Sequence, residues 1–341
     1  MLEAFAPARV RTVDSLDGAT FARDILPAAQ PILIKGLNAA WPAVRQALAS
    51  DEAIAGYLRA MDRGTPASVL EANANTKGRL AYAADMNEFN FHRRSKTITA
   101  GVDQILGLRD HPNPPFVYVQ SAPVADHLPA FAGDNPSPLL PPQITPRIWI
   151  SNATRAQTHN DQDHNIACVV AGRRTFTLFP PEQVKNLYIG PMEHTPSGRA
   201  ISLASLEEPD FERFPQLREA IAHAQVAEME PGDALYVPKY WWHHVQSHAA
   251  FNVLINYWWG NSASTAENPL SAFVGGLVAL KGLSDADRSY WKAMFDHYIF
   301  RTEGDPVAHI PPNLQGGLGR HTPKIRAELI KTLQSLVNSR G

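Results

Sequence analysis

The alternation of apolar and polar positions divides the chain into two regions of different character. Up to about residue 258, short runs repeat with a period of two, which is typical of strands, whereas helical periodicity dominates afterwards. Strands are predicted at 30–36, 66–71, 79–82, 116–120, 147–151, 158–161, 166–170, 174–179, 226–229, 234–238, 244–247 and 251–258. Many short strands without long helices between them are typical of an all-β barrel or sandwich.

Helices are predicted around this β region. They fall at 15–26, 43–49, 51–61 and 97–108, near 214–223, and at 269–281, 284–300 and 322–337. We therefore expect a mainly β domain with surrounding helices over residues 1–262 and a helical C-terminal extension over residues 263–341. Segments 123–146 and 193–213 are expected to border a substrate groove, since loops on a rigid barrel usually do so.

Composition narrows the possible partners and compartments. The 341 residues are 44% hydrophobic and 19% charged, as in ordinary globular proteins. The net charge of −2 shows no basic excess, so nucleic acid is an unlikely partner. The single cysteine, Cys168, excludes an intrachain disulfide. With no signal peptide in residues 1–11 and no apolar run of roughly 18 residues, we predict a cytoplasmic protein without a membrane span.

A candidate metal site begins at His159-Asn160-Asp161. Residues i and i+2 of a strand point to the same face, so His159 and Asp161 can bind one ion together. A third ligand is expected from His243 or His244, which follow two tryptophans. Adjacent strand residues face opposite sides, so only one of them joins, and strand parity does not choose. Two histidines and a carboxylate are typical of non-haem Fe(II) oxygenases, although Mn, Co, Ni or Zn also suits such ligands.

A second candidate site centres on Arg174, which shares the apolar face of its strand with Phe176 and Leu178. A buried guanidinium needs an anionic partner, and a carboxylate bound through both oxygens is its natural match. A structural salt bridge to an internal Asp or Glu is the alternative interpretation.

Other strands place polar residues on faces that could line the same interior. Asn252, Leu254, Asn256 and Trp258 share one face of their strand, and Tyr118 and Gln120 share a face of another. We interpret them together as the polar lumen of a small barrel that holds a metal and an anion.

In this order, the motifs resemble the JmjC/cupin-like (cupin_8) 2-oxoglutarate- and Fe(II)-dependent oxygenases, most of all asparaginyl hydroxylases such as factor inhibiting hypoxia-inducible factor. The resemblance runs from about Phe21 to Trp258. The motifs are Pro31 to Gly36, Trp41 to Ala43, His159 to Asn165, Gly172 to Gln183, Pro231 to Asp233 and Trp241 to His244.

This resemblance implies a double-stranded β-helix, or jelly roll, that uses Fe(II) and the cosubstrate 2-oxoglutarate. The family's metal ligands fall on His159, Asp161 and His244, the second of the adjacent histidines. Its partners for the distal carboxylate of 2-oxoglutarate fall on Arg174, where the hypoxia-factor enzyme has lysine, and on Tyr118.

The resemblance also implies roles for neighbouring polar residues. Asn165 and Asn256 match asparagines beside the metal and cosubstrate, and Gln120 matches a substrate contact. A family threonine that holds the cosubstrate has no clear counterpart, because the segment before His159 is two residues longer here. Thr154 or Thr158, or neither, can replace it, and we include Thr158 in the candidate set.

These features predict a 2-oxoglutarate-dependent dioxygenase that hydroxylates a protein side chain or a small molecule. The resemblance further implies a homodimer formed through the C-terminal helices. The alternative is a non-catalytic cupin that senses a metal or a small acid. A zinc hydrolase is less favoured, because no separate general base lies at a recognisable spacing from the triad.

Overall fold

The computed structural model describes residues 7–196, 198–260 and 268–338, and it divides into two compact units, Met1–Gly260 and Asn261–Gly341. The strands of the first unit are β1 (Ala8–Arg9), β2 (Arg11–Val13), β3 (Ile32–Ile34), β4 (Ala67–Ala72), β5 (Arg79–Leu80), β6 (His92–Lys96), β7 (Phe116–Pro123), β8 (Pro146–Ser151), β9 (Thr154–Asn160), β10 (His164–Ala171), β11 (Arg174–Phe179), β12 (Gln225–Met229), β13 (Ala234–Val237), β14 (Trp242–Ser247) and β15 (Asn252–Trp259).

The helices are α1 (Gly18–Thr20), α2 (Leu26–Ala28), α3 (Pro42–Ala49), α4 (Asp51–Met61), α5 (Ile98–Gly107), α6 (Val124–His127), α7 (Phe131–Asp134) and α8 (Leu217–Ala222) in the first unit, and α9 (Pro269–Leu280), α10 (Asp285–Phe295) and α11 (Pro323–Asn338) in the second. A π-helical turn, Phe21–Ile25, joins α1 to α2, and another, Asp296–Phe300, continues α10. Together, α10 and the second turn span the helix predicted at 284–300, and its last turn is π-helical.

Two mixed sheets form the jelly-roll core of the first unit. The smaller has the strand order β1-β12-β11-β14-β9-β5, and the larger has the order β2-β3-β13-β10-β15-β8-β7-β4-β6. Phe176 and Val245 of the smaller sheet and Val169 and Leu254 of the larger belong to one buried cluster. The inner faces of both sheets therefore share one core, as the predicted barrel or sandwich requires.

Helices cover the opposite face of the larger sheet. Val44 of α3, Ile54 of α4 and Val102 of α5 join a second buried cluster with strand residues such as Ile148 and Ile255. Strand β10, in the interior of this sheet, is buried on both faces, which explains its unbroken apolar run. Ser50 and Thr97 cap α4 and α5 by accepting backbone N–H groups, which fixes where these helices begin.

The Pro231-Gly232-Asp233 turn fastens β13 to the N-terminal segment. Asp233 accepts a hydrogen bond from the backbone N–H of Gly36 at 3.0 Å and forms an ion pair with Lys35. Its carboxylate is therefore buried but satisfied, and it anchors the start of β13 beside its partner strand β10.

Three strands, β1, β2 and β6, were not predicted from the alternation pattern. Strand β6 consists of His92-Arg93-Arg94-Ser95-Lys96 and lies at the edge of the larger sheet, with four of its residues exposed. Charged residues are common on edge strands because they discourage pairing with other chains, but they remove the apolar signal.

The second unit is helical, as its periodicity indicates. Helix α9 is almost entirely apolar in sequence, yet none of its residues is buried. Among the described helices, none has both the length and the apolar character needed to cross a bilayer.

Candidate active site

A cavity of about 970 Å³ opens between the two sheets, with walls built from both. Most of the residues selected from the sequence line it: Tyr118, Gln120, His159, Asp161, Asn165, Arg174 and Asn256. Strand parity accounts for this, because directly paired residues of neighbouring strands share a face. Asn256, for example, pairs with Ala167 on one side and with Arg147 on the other, and all three line the cavity.

Three potential metal ligands meet at one wall of the cavity. His159, Asp161 and His243 each offer a nitrogen or oxygen atom, and these atoms all lie within 4.8 Å of one another. His243 Nε2 is 3.8 Å from Asp161 Oδ2, and the two imidazole rings are 4.4 Å apart. The spacing and the donor types suit a divalent transition-metal ion.

The structure corrects the assignment of His244 as the third metal ligand and catalytic residue. Its neighbour His243 pairs directly with His159 across β14 and β9, so those two side chains project from the same face. His244 points to the opposite face, where its Nε2 lies 2.8 Å from Glu207 Oε1. The strand-parity argument left both histidines open, and the resemblance selected the wrong one.

Hydrogen bonding prepares both cluster histidines for metal binding. His159 Nδ1 lies 2.8 Å from the carbonyl oxygen of Gln157, and His243 Nδ1 lies 3.1 Å from that of Trp241. A proton on each Nδ1 would be donated to these carbonyls, leaving Nε2 as the ligand atom. Burial, together with nearby His159, lowers the pKa of His243 to about 4, so its ring is neutral at pH 7.

Arg174 is buried in the same cavity without a carboxylate partner. The residue is only 3% exposed, and its Nε and Nη2 atoms have no hydrogen-bond partner. No Asp or Glu of the described residues lies within 4 Å of it, so the structural salt bridge considered above is absent there. Burial lowers the pKa of Arg174 to about 10, which still leaves the guanidinium charged at neutral pH.

Tyr118 lies near this guanidinium and is also buried. Burial raises the pKa of its phenol, although Arg174 opposes the rise, so the hydroxyl keeps its proton at neutral pH. The ring stacks on Trp149 at 5.6 Å, which fixes its orientation. Tyr118 and Arg174 can thus offer an O–H and N–H groups to one anion.

The asparagines and Gln120 complete the polar lining. Trp149 Nε1 donates to Asn256 Oδ1 at 2.8 Å, and the Asn256 amide lies 3.4 Å from Asn165 Oδ1. Gln120 Oε1 accepts a hydrogen bond from Arg93 at 3.0 Å. Each side chain is therefore held in place with part of its polar surface directed into the cavity.

Thr158, like His244, was predicted at the site but does not line the cavity. Ala156 pairs with Val245 and His159 with His243, so two residues of β9 oppose the single residue His244. This bulge shifts the strand's alternation by one residue. Thr154 and Ala156 consequently line the cavity, whereas Thr158 does not. Thr154 donates a hydrogen bond to Ser247 Oγ at 3.1 Å.

Several lining residues were not selected from the sequence, namely Phe89, Phe91, Arg93, Arg147 and Arg199. Arg199 lies in a loop, and its Nε is 3.5 Å from Asp161 Oδ1. Arg147 lies in a strand that was predicted. Pairing that strand, β8, with β15 would have placed Arg147 beside Asn256 and so identified it as a lining residue. Loop and edge-strand residues give no such signal.

Comparison with known proteins agrees with this geometry. The family described as Cupin-like domain matches residues 18–265. Lysine-specific demethylase JMJ31 of Arabidopsis thaliana is 34% identical over 113 residues, which are 33% of this chain and 20% of that protein. HSPB1-associated protein 1 of Homo sapiens is 39% identical over 113 residues, 33% of this chain and 22% of that protein.

A third relative extends the range of organisms. Jumonji C domain-containing protein 5 of Drosophila melanogaster is 31% identical over 120 residues, which are 35% of this chain and 28% of that protein. Each of these matches spans less than a third of the relative's own length. The family match covers most of the chain and includes the entire metal cluster. The chain therefore belongs to the cupin-like domain family.

Proposed function

We propose that this protein is an Fe(II)- and 2-oxoglutarate-dependent dioxygenase that hydroxylates its substrate. One observation supports it above all: the His159–Asp161–His243 cluster and the unpaired, buried Arg174 line the same cavity. A group of three metal-ligating side chains alone suits many functions, and a buried arginine alone suits many anions. Their combination suits an organic acid that binds beside a metal.

The residues present fit Fe(II). Two imidazoles, with His243 neutral at pH 7, and one carboxylate form the donor set of non-haem Fe(II) oxygenases. Nδ1 of each imidazole faces a backbone carbonyl, so the rings are held with Nε2 available. These contacts between Nδ1 and the carbonyl oxygens restrict the orientation of both rings before a metal binds.

The residues also fit 2-oxoglutarate. Arg174 would bind its distal carboxylate, which satisfies the Nε and Nη2 atoms that have no partner within the protein. Tyr118 would donate its hydroxyl hydrogen to the same carboxylate. Thr154, at the cavity wall, replaces Thr158 as the threonine nearest to this role.

When bound, Fe(II) and 2-oxoglutarate supply the oxidising chemistry, in which O₂ and 2-oxoglutarate give succinate, CO₂ and one oxygen atom for a substrate C–H bond. The chain contributes orientation and exclusion of water. Phe176 and Val245 cover the wall beside Arg174, and Trp149 and Trp258 cover the opposite sheet. The apolar walls keep solvent from competing for Arg174.

Hydroxylation of a protein side chain or of a small molecule is compatible with the cavity. Two of the similar Arabidopsis proteins are named lysine-specific demethylases, and oxidation of an N-methyl group would need the same donor set. The charges that line this cavity favour hydroxylation of a carbon that is not part of a cationic N-methyl group. Three arginines border the space outside the Arg174 pocket and would repel such a cation.

Succinate formation from 2-oxoglutarate tests the proposal. With Fe(II), ascorbate and O₂, the wild-type protein should form succinate even without added substrate. His159→Ala and Asp161→Ala should abolish it, because each removes a metal ligand. Arg174→Met should raise the KM for 2-oxoglutarate by about 10- to 100-fold, as expected for losing a charged hydrogen bond. Unchanged succinate formation in either ligand variant would sink the proposal, and tight 2-oxoglutarate binding without turnover would favour a sensor.

A further inference from the structure

Positive side chains outnumber negative ones in the cavity lining when the three candidate metal ligands and Arg174 are left out. Arg93, Arg147 and Arg199 remain, against the single carboxylate Asp163. The described lining contains no lysine and no glutamate. A divalent metal with Asp161, together with 2-oxoglutarate and Arg174, would add no net charge, so the excess stays positive.

Arg147 is the most firmly placed of the three. It lies on β8 opposite Asn256, and its Nε donates to Ser121 Oγ at 2.7 Å and to the Ser121 carbonyl oxygen at 3.1 Å. Its guanidinium carbon lies 5.8 Å from the centre of the Trp258 ring. These contacts hold Nε, while no carboxylate of the described residues lies within 4 Å of the guanidinium.

Arg93 approaches from the edge strand β6. It pairs with Leu70, which pairs in turn with Tyr118, so its side chain shares the cavity-facing side of the sheet. Its Nη1 contacts Ser68 Oγ and lies 3.0 Å from Gln120 Oε1. Like Arg147, it has only neutral partners among the described residues.

Two aromatic rings line the cavity beside Arg93, and one of them contacts a neighbouring loop. Phe89 and Phe91 stack on each other at 5.3 Å and line the cavity. Phe89 also stacks on His194 at 4.6 Å, and the Tyr82 hydroxyl donates to the His194 carbonyl oxygen at 2.6 Å. The loop that contributes Arg199 is thereby fastened to the segment that contributes the aromatic rings.

We propose that the substrate of this site is a small organic anion, a carboxylate or phosphate ester with an apolar or aromatic body, whose charged group binds Arg147 with Arg93. The proposal rests on the dioxygenase function and names its substrate class. Arg147 lines the cavity with no carboxylate of the described residues within 4 Å of its guanidinium, and only the more distant Asp126 attracts its charge, so the guanidinium is available to an anionic ligand. The stacked Phe89 and Phe91 offer a flat apolar surface to the rest of the molecule.

A cationic amine would be disfavoured at the same place. It would approach three arginines, of which only Arg199 has a carboxylate of the described residues within 4 Å, so repulsion opposes its binding. The loop fastened beside Phe89 also favours a compact molecule over an extended polypeptide. Charge and shape therefore point to the same substrate class.

A matched set of ligands separates these possibilities. We would measure the Kd of 3-phenylpropionate, 3-phenylpropanamide, 3-phenylpropylamine and phenyl phosphate by calorimetry, using the full chain with Mn(II), saturating 2-oxoglutarate and no O₂. At least one anion should bind tenfold more tightly than the amide or the amine. Arg147→Met should remove that preference, and Arg147→Lys should keep part of it.

Arg94→Met is the matched control, because Arg94 is the neighbouring arginine on β6 and does not line the cavity. It should leave every Kd unchanged. Amine binding as tight as that of the anions, anion binding that Arg147→Met does not weaken, or anion binding lost at saturating 2-oxoglutarate would overturn the inference.

The test is independent of turnover. Succinate formation without any preference for anions would contradict only the substrate class. A retained anion preference without succinate formation would contradict only the dioxygenase function.

Discussion

At the scale of single residues, two adjacent histidines have opposite environments. His243 faces the cavity together with the other candidate metal ligands, whereas His244 faces the partly buried carboxylate of Glu207. Glu207 Oε2 also accepts a hydrogen bond from Ser205 at 3.1 Å. This second site has no evident role in metal binding, and we interpret it as an anchor that fixes the strand on which His243 lies.

The Glu207 anchor should make stability depend on pH. Burial alone would raise the pKa of Glu207, but the close contact with His244 outweighs it and lowers the pKa to about 2. A lowered carboxylate pKa stabilises the fold above the unfolded value and loses that effect as pH falls toward the folded value. Its contribution, up to about 3 kcal/mol, should disappear as the pH falls from about 4.5 to about 2.

Urea unfolding of the wild type and Glu207→Gln at several pH values measures this contribution. The variant should be less stable at pH 7, and the difference in unfolding free energy should shrink as the pH falls. A difference that stays constant between pH 7 and pH 3 would contradict the Glu207 pKa and the anchoring role.

At the scale of elements, sequence reasoning succeeded where alternation is regular. It placed Arg174, Tyr118 and Asn256 on inward faces, because β11, the first part of β7 and β15 alternate without interruption there. It did not choose between Thr154 and Thr158 on β9, where a bulge shifts the alternation so that Thr154 lines the cavity and Thr158 does not. Such a bulge depends on the partner strand, so the β9 sequence alone cannot reveal it.

The turn between β10 and β11 gives a prediction at this scale. Gly172 has φ +74°, and a Cβ there would lie 2.2 Å from Asn252 Oδ1 and 2.8 Å from the Phe251 carbonyl oxygen. Gly172→Ala should therefore lower the free energy of unfolding by more than about 1 kcal/mol, since both the backbone and the space oppose a side chain. Urea unfolding monitored by tryptophan fluorescence would measure the change.

Gly56→Ala is the control, because Gly56 lies inside α4 with no atom within 4 Å of an added Cβ. It should stabilise the protein by roughly 0.5–1 kcal/mol through helix propensity. Equal effects of the two substitutions would show that the turn does not require glycine.

At the scale of the whole molecule, the second unit presents apolar side chains that its own helices leave exposed. Phe273, Val274 and Val278 of α9 are 51%, 48% and 76% exposed, and Tyr290 and Trp291 of α10 are also exposed. Contiguous exposed apolar surface is uncommon in monomers and typical of interfaces. We propose that a second copy of the chain covers it, which gives the homodimer expected from the resemblance.

Light scattering of the full chain tests this proposal. The wild type should have twice the mass of one chain, and Val278→Glu should shift the equilibrium toward one chain by placing a charge in the interface. Lys281→Glu, a change at an exposed polar position just after α9, serves as the control. A monomeric wild type at micromolar concentration would contradict the dimer.

In the proposed function, His159, Asp161 and His243 hold the metal at which O₂ oxidises 2-oxoglutarate. The most direct test compares His243→Gln with His244→Gln, two neighbouring histidines given the same replacement, by measuring succinate formed from 2-oxoglutarate with Fe(II) and O₂. Glutamine at position 244 keeps a polar group beside Glu207 and outside the metal site, so that variant should keep the wild-type rate, while His243→Gln should fall to background. Loss of succinate formation in His244→Gln with retention in His243→Gln would contradict the account.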